Sequence, residues 1–307
     1  MNTTDENDQG VVFRKSLGHY TVHTNGREID CALSSRLHKQ SHQHTADPIA
    51  VGDQVRFLDT GQGSGIITEI LTRRSSFSRP LPGQRVVEQV IAANVDQILP
   101  VFAAASPTPK WGLLDRYLVA AEAAGLPSQI IVTKMDLADN DSLESDLEIY
   151  RRIGYPIHLV CASTGEGLDD LNHTLSGRTS VLVGKSGVGK TSLMNAIQPE
   201  LGLRIKAVSE GEVGKGRHTT SHLQMFELDF GGRLVDTPGI REFGLWNIHR
   251  EELASHFREM APYVGGCKFG LSCQHDHEPG CAIRKAVMDG QINPYRYQSY
   301  MRLQEEL

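Results

Sequence analysis

"SVLVGKSGVGKTSL" (residues 180–193) reads as a strand, a glycine-rich loop and the start of a helix. It fits G-x-x-x-x-G-K-[ST] from Gly184 to Thr191. Glycines let successive backbone N–H groups turn inward, where they cradle phosphates at a helix N-terminus. In such a loop Lys185, Ser186, Gly187, Val188, Gly189 and Ser192 line the cradle, Lys190 reaches the β- and γ-phosphates, and Thr191 takes a magnesium ion.

This loop does not choose between adenine and guanine. "RLVDTPG" (233–239) narrows the class. Its apolar run ends in Asp236, which suits a magnesium-bound water, and Gly239 stands three residues on with an N–H for the γ-phosphate. Asp-Thr-Pro-Gly is also a good turn, but about 45 residues past the loop and at a strand end it has the spacing of a GTPase.

"TKMD" (133–136) ends the apolar strand "QIIV", at the place where open α/β sheets bind ligands. Asp136 can accept hydrogen bonds from guanine N1–H and N2–H₂, and adenine offers no donors there. Lys134 can lay its stem over the base. "CAST" (161–164) ends another strand, so Cys161, Ala162 and Ser163 join the guanine side, with the Ala162 N–H facing O6. In an ordinary GTPase the phosphate loop precedes the guanine reader. Here the order is reversed, which predicts a permuted domain whose contacts survive because they depend on geometry rather than chain order. Two departures stand out. Thr133 replaces the usual asparagine, losing an amide, and Cys161-Ala162-Ser163 replaces Ser-Ala-Lys.

"EGEVGKGRHTTSH" (210–222) lies where a GTPase carries its first switch, and its glycines make it mobile. Thr219 and Thr220 are both candidates to close on magnesium. Ras-like GTPases carry a water-orienting glutamine after the glycine of D-x-x-G; here Ile240 stands there and cannot act. His218, beside the two threonines, is the candidate for that work, with an ordinary exposed loop histidine as the alternative.

Around this centre the pattern changes twice. Residues 10–75 hold five β-rich runs with an Asn-Gly turn (24–27) and a Gly-rich turn (59–65), which fits an OB-type barrel or a generic sandwich. The segment 37–48, with His38, His42 and His44, reads as a solvated loop, because no acidic or Cys partner has ligand spacing. "TRRSSFSRPLPGQRV" (72–86) reads as a linker, and its Arg73, Arg74, Arg79 and Arg85 are either chance charge or RNA-phosphate contacts. From about residue 87 a βαβα rhythm predicts a parallel sheet covered on both faces. Past residue 239 the pattern is helical.

"CKFGLSCQHDHEPGC" supplies Cys267, Cys273, His275 and Cys281. Three thiolates and an imidazole make a closed tetrahedral set for one structural zinc, with His277 as a competing ligand. The terminal helix carries Tyr295, Arg296, Tyr297, Tyr300 and Arg302, which suit either stacking on RNA or packing. The division expected is 1–76 barrel, 77–245 permuted α/β GTPase domain and 246–307 helical zinc domain.

The net charge of −6 excludes a polybasic nucleic-acid binder, so any RNA contact is local. The first ten residues lack the charged and apolar regions of a signal peptide, and no apolar run reaches membrane-spanning length. Clustered cysteines suit a reducing cytosol, so a cytoplasmic monomer without membrane contact is expected.

The order "TKMD", "CAST", "GKSGVGKTS", "GRHTTSH", "DTPG" and the Cys/His cluster, behind a β-rich N-terminal unit, resembles the ribosome small-subunit-dependent GTPase A family of circularly permuted GTPases, over nearly the whole chain. That family's zinc pattern, Cys, Cys-x-His and Cys, matches Cys267, Cys273, His275 and Cys281 and leaves His277 outside. The resemblance implies an OB barrel and a zinc domain that grip 16S rRNA on the 30S ribosomal subunit near the decoding region. It implies GTP hydrolysis to GDP, with magnesium, stimulated by the subunit and releasing the factor. A different class remains open, a nucleotide-regulated RNA-binding module with little turnover of its own. In both readings the run from Asp236 straight into the zinc domain offers a path from nucleotide state to RNA affinity.

Overall fold

The computed structural model describes residues 8–16, 18–40, 47–81, 84–138, 140–203, 223–237 and 244–307. The first unit is built from β1 (Asp8–Ser16), β2 (His19–Thr24), β3 (Arg27–Leu33), a short helix α1 (Ser35–Gln40), β4 (Gln54–Gly61) and β5 (Ser64–Ile70). Asn25 and Gly26 both have positive φ, as do Gln62 and Gly63. Two such residues in succession give the turn whose twist matches a hairpin. The strands run in the order β1-β2-β3-β5-β4, and β4 pairs back onto β1 with Gly10 opposite Val55. The sheet therefore closes into an OB-type barrel, with β3 and β5 parallel. Alternate residues point inward, and Val12, Tyr20, Val22, Ile29, Val55, Phe57 and Ile67 fill it. The sandwich alternative is thereby excluded. The segment read as a solvated loop begins inside α1, and His42 and His44 lie outside the described residues.

The arginine-rich stretch is not a linker. It forms β6 (Ser76–Leu81), which pairs with β7 (Gln84–Ala93) as an antiparallel ribbon. Among the described side chains, Arg73, Arg74 and Arg79 are engaged within the chain. Arg73 makes a two-pronged contact with the buried Asp53 carboxylate at 2.7 and 2.8 Å. Arg74 pairs with Asp96 at 2.7 Å, and Arg79 Nε donates to Gln89 at 2.9 Å. These internal contacts give the three arginines a packing role within the chain. Composition hid the partners, because they stand ten to about twenty residues away in the chain.

The central sheet follows. Its elements are β8 (Gln97–Ala103), α2 (Trp111–Ala123), β9 (Ile130–Thr133), α3 (Asn140–Ile153), β10 (Ile157–Leu159), α4 (Leu168–Leu175), β11 (Thr179–Val183), α5 (Lys190–Ile197), β12 (Gln224–Glu227) and β13 (Arg233–Asp236). Spatial order is β10-β9-β8-β11-β13-β12, parallel except for β12. β8 is buried throughout, as a central strand covered on both faces must be. Ile98 and Phe102 enter one core with Leu114, Leu118, Leu147 and Tyr150 of α2 and α3. Leu99, Val101 and Ala103 enter the other with Leu171, Leu193 and Met194 of α4 and α5. The barrel joins the sheet edge through β1 and β12, Arg14 opposite Gln224. At this junction Gly52 has φ +91°, and a Cβ on it would lie 2.1 Å from the Ala93 carbonyl oxygen.

The C-terminal unit consists of short 3-10 turns, α6 (Ala282–Met288) and α7 (Pro294–Glu306). Its core includes Phe257, Met260, Ile283, Tyr300 and Leu303, together with Val119 of α2. The unit is thus packed directly onto the central domain.

Candidate nucleotide site and metal centre

A parallel sheet places every strand's C-terminal end on one edge, and the motifs meet there. Thr133 stands opposite Ala103 and Asp236 opposite Leu182. β8 and β11 are adjacent and their connections run to opposite sides, so the crevice lies at the point where the strand order reverses. β11 leads into the loop Gly184–Gly189 and α5. Gly184 is required by space, since a Cβ would sit 2.4 Å from the Val101 carbonyl oxygen. Gly187 and Gly189 have φ of +84° and +95°, a region that disfavours side chains.

Lys190 is 8% exposed and donates to the carbonyls of Gly184 and Lys185 at 2.6 and 3.0 Å. Burial lowers its ammonium below the ordinary lysine range, and Asp236 only partly opposes this. Burial likewise raises the Asp236 carboxyl above the ordinary carboxylate range, against the pull of Lys190. Asp236 Oδ1 is buried and accepts no hydrogen bond among the described residues. An orphaned carboxylate oxygen beside the phosphate loop fits a magnesium-bound water, with Thr191 at the start of α5 as the inner ligand.

Thr133 does more than its sequence reading allowed. It is 2% exposed, and its hydroxyl lies 2.5 Å from the Val188 carbonyl and 3.2 Å from the Phe102 carbonyl. A hydroxyl in place of an amide therefore ties the guanine-reading segment to the phosphate loop. Lys134 takes a left-handed conformation, and its ammonium donates to the Ser106 carbonyl on the loop between β8 and α2. Asp136 is exposed rather than buried. The Cys161 thiol donates to Asp136 Oδ1 at 3.3 Å and lies 3.1 Å from the Ser163 hydroxyl. That hydroxyl, followed by Thr164, lowers the Cys161 thiol below its ordinary value. So "TKMD", "CAST" and the phosphate loop share one edge and touch. Ser106, the Val188 carbonyl and the Cys161–Asp136 contact carried no signal in sequence, because each is a meeting of segments far apart in the chain. His218, Thr219, Thr220, Gly239 and Ile240 lie outside the described residues.

The second cluster is Cys267, Cys273, His275 and Cys281, all buried, with ligand atoms within 4.8 Å of one another. Cys267 Sγ lies 3.8 Å from Cys281 Sγ, and His275 Nδ1 lies 3.4 and 3.5 Å from these two sulfurs. Zinc at about 2.3 Å from sulfur and about 2.05 Å from nitrogen separates tetrahedral neighbours by about 3.8 Å and about 3.6 Å respectively. The cluster fits a zinc site in both donor set and spacing. Backbone N–H groups of Ala282 and Arg284 donate to the Cys267 and Cys281 sulfurs, which supports thiolate character. Burial pushes the Cys273 thiol up to about 12, so ionisation there calls for a bound cation. His277 points away, exposed and paired with Asp276. Arg296, Tyr297 and Tyr300 follow the packing alternative. Arg296 is fully buried, and the two tyrosines donate to the Gln274 and His275 carbonyls.

Comparison with known proteins agrees with this arrangement. Residues 70–246 match the RsgA GTPase family. The chain is 43% identical over 301 residues to the small ribosomal subunit biogenesis GTPase RsgA of Gemmatimonas aurantiaca, covering 97% of both chains. It is 39% identical to the protein of that name from Pseudomonas aeruginosa, covering 99% of this chain and 89% of the relative. Among solved structures, YjeQ from Thermotoga maritima superposes with a TM-score of 0.77 at 34% identity, covering 98% of each chain. YloQ, described as a circularly permuted GTPase, gives 0.71 at 29% identity, covering 100% of this chain and 97% of that one. Strand order, motif order and relatives together place this chain in the RsgA GTPase family.

Proposed function

We propose that this chain hydrolyses GTP to GDP and acts in biogenesis of the small ribosomal subunit, its partners being the 30S subunit and 16S rRNA. The observation that carries the nucleotide half is the meeting of Thr133, Asp136 and Cys161 with the phosphate loop on one sheet edge. The relatives' names carry the ribosomal half.

Asp136 reads guanine, Lys134 flanks the base, and the backbone from Cys161 to Ser163 closes the O6 side. Gly184 to Ser192 would hold the phosphates with Lys190, and Thr191 and Asp236 would hold magnesium. Gly239 meets the γ-phosphate, Thr219 or Thr220 closes on the metal, and His218 orients the attacking water. Magnesium supplies charge neutralisation of the developing phosphate oxygens. Zinc on Cys267, Cys273, His275 and Cys281 holds the C-terminal unit together. Labour divides as barrel (1–76) and zinc unit (246–307) for RNA, with the permuted domain (77–245) for nucleotide. The factor works as a cytoplasmic monomer, and among the described residues no helix is long and apolar enough to cross a membrane.

GTP turnover measured with and without purified 30S subunits tests this reading. Slow turnover alone and a marked rise with subunits are expected. His218→Ala should keep GTP binding and lose most of that rise. Wild-type protein that binds GTP but shows no rise with any 30S preparation would favour the RNA-binding module.

A further inference from the structure

The helix α7 lies between the metal cluster and the nucleotide domain, touching both. On one side the Tyr297 hydroxyl donates to the His275 carbonyl at 2.5 Å. Tyr300 and Gln304 donate to the Gln274 carbonyl at 3.1 and 2.9 Å. These three residues hold the backbone of the loop that carries a metal ligand. On the other side Arg296 reaches α2. It is fully buried, and Nη1 lies 2.5 Å from Asp115 Oδ1, with Nε 2.6 Å from Glu259 Oε1. Its guanidinium also stacks on Phe257, 4.7 Å from the ring centre.

Asp115 is equally buried and accepts from the Tyr150 hydroxyl of α3 at 2.8 Å. Arg296 thus acts on both helices that flank the guanine reader. α3 begins at Asn140, one turn after "TKMD". α2 begins directly after the loop whose Ser106 carbonyl receives Lys134. Near the first turn of α2 the fit is close, since a Cβ on Gly112 would lie 3.7 Å from Arg302 Nη2 and 3.9 Å from the Tyr295 hydroxyl. Arg116 on α2 pairs with Glu306 at the far end of α7. A buried charge lacking its partner is costly, so this arrangement resists partial slippage.

We propose that Arg296 is a positioning residue for the guanine-reading segment, and that α7 links its placement to metal binding at the Cys/His cluster. Metal orders the loop at 273–275, that loop seats α7, and α7 sets Arg296 against Asp115. Asp115 in turn fixes α2 and α3, between which Lys134 and Asp136 stand. Linkage is reciprocal, so guanine nucleotide must strengthen metal retention by the same factor as metal strengthens nucleotide binding. The inference rests on the guanine reading of the site.

The test uses the full-length, zinc-loaded protein. Zinc equilibrated against a competing chelator is measured with and without saturating GDP, and GDP affinity is measured by fluorescence titration. GDP should tighten zinc retention by on the order of fivefold or more. Tyr297→Phe, which removes one hydroxyl, should weaken that gain. Arg296→Lys should retain zinc and bind GDP more weakly by a similar factor, with the gain in zinc retention abolished. Zinc retention indifferent to GDP in wild-type protein that binds GDP would overturn the link, whatever the variants do. Failure of wild-type protein to bind GDP would overturn the nucleotide reading and this proposal with it. If Arg296→Lys does not fold, the wild-type comparison and Tyr297→Phe still decide whether metal and nucleotide are linked through α7.

Discussion

At the scale of the residue, the proposed base choice rests on a single carboxylate. Asp136 is exposed, with Oδ1 engaged by the Cys161 thiol. Asp136→Asn puts an amide donor against guanine donors. An unmatched pair of this kind costs about 1–3 kcal/mol, so GTP affinity measured by titration should fall roughly tenfold or more. Unchanged affinity would end the guanine assignment. Asp236 makes a prediction about pH. Its carboxyl is raised by burial in the nucleotide-free chain. A raised acid binds its proton longer in the folded state, so its contribution to stability is complete below the ordinary carboxylate range and is lost as pH climbs through the raised value. Thermal melts of nucleotide-free Asp236→Asn should lack this acid-to-neutral loss, while magnesium-dependent GTP binding is weakened. Melts that fall with pH as in wild type would contradict the assignment.

At the scale of the element, the loop 267–281 has little regular structure beyond one 3-10 turn, and its geometry is set by four ligands and by α7. Cys281 also caps α6, accepting from the Arg284 N–H. Its replacement therefore strikes the metal set and a helix start together. Metal-binding energy at closed sites is folding energy. Cys281→Ser should lose the one zinc per chain by elemental analysis and the slow amide exchange of α6 and α7. Full zinc content in this variant would show that the cluster is not the ligand set. The β6–β7 ribbon teaches the complementary lesson. The prolines, glycine and four arginines of residues 72–86 suggest a linker, yet Arg73 and Arg74, just before β6, find Asp53 and Asp96 across the fold, and a two-stranded ribbon is stabilised by what it packs on.

At the scale of the whole molecule, both outer units are docked on the nucleotide domain. The barrel covers the β12 edge through β1, and the Asn94 amide donates to the Gly52 carbonyl at 2.9 Å. An uncovered edge strand is a template for pairing with other chains. A chain beginning at residue 71 should therefore self-associate, visible in light scattering at concentrations where the full chain stays dispersed. A monodisperse fragment would show that the barrel does not protect that edge. On the opposite side α7 and Arg296 lock the zinc unit to α2. Under the proposals above, a nucleotide signal would reach it through the run after Asp236 and through α2.

Much of this was legible without coordinates, for a physical reason. Phosphate loops, strand-end carboxylates and thiolate ligands are recognised by local spacing, because the chain within a few residues must supply the geometry. Strand alternation and Asn-Gly turns similarly announced the barrel, and the reversed order of "TKMD" and "GKSGVGKTS" announced the permutation. What spacing cannot carry is a contact between distant segments. Thr133 looked like a loss until its hydroxyl met Val188. Asp136 and Cys161 gave no sign of touching, and the arginines at 73 and 74 looked free. Arg296 was one basic residue among several on a terminal helix until burial against Asp115 and Glu259 made it the joint between two units. Local covalent order settles which chemistry is present, whereas packing decides which charges are neutralised, which carbonyls are reached, and which parts move together.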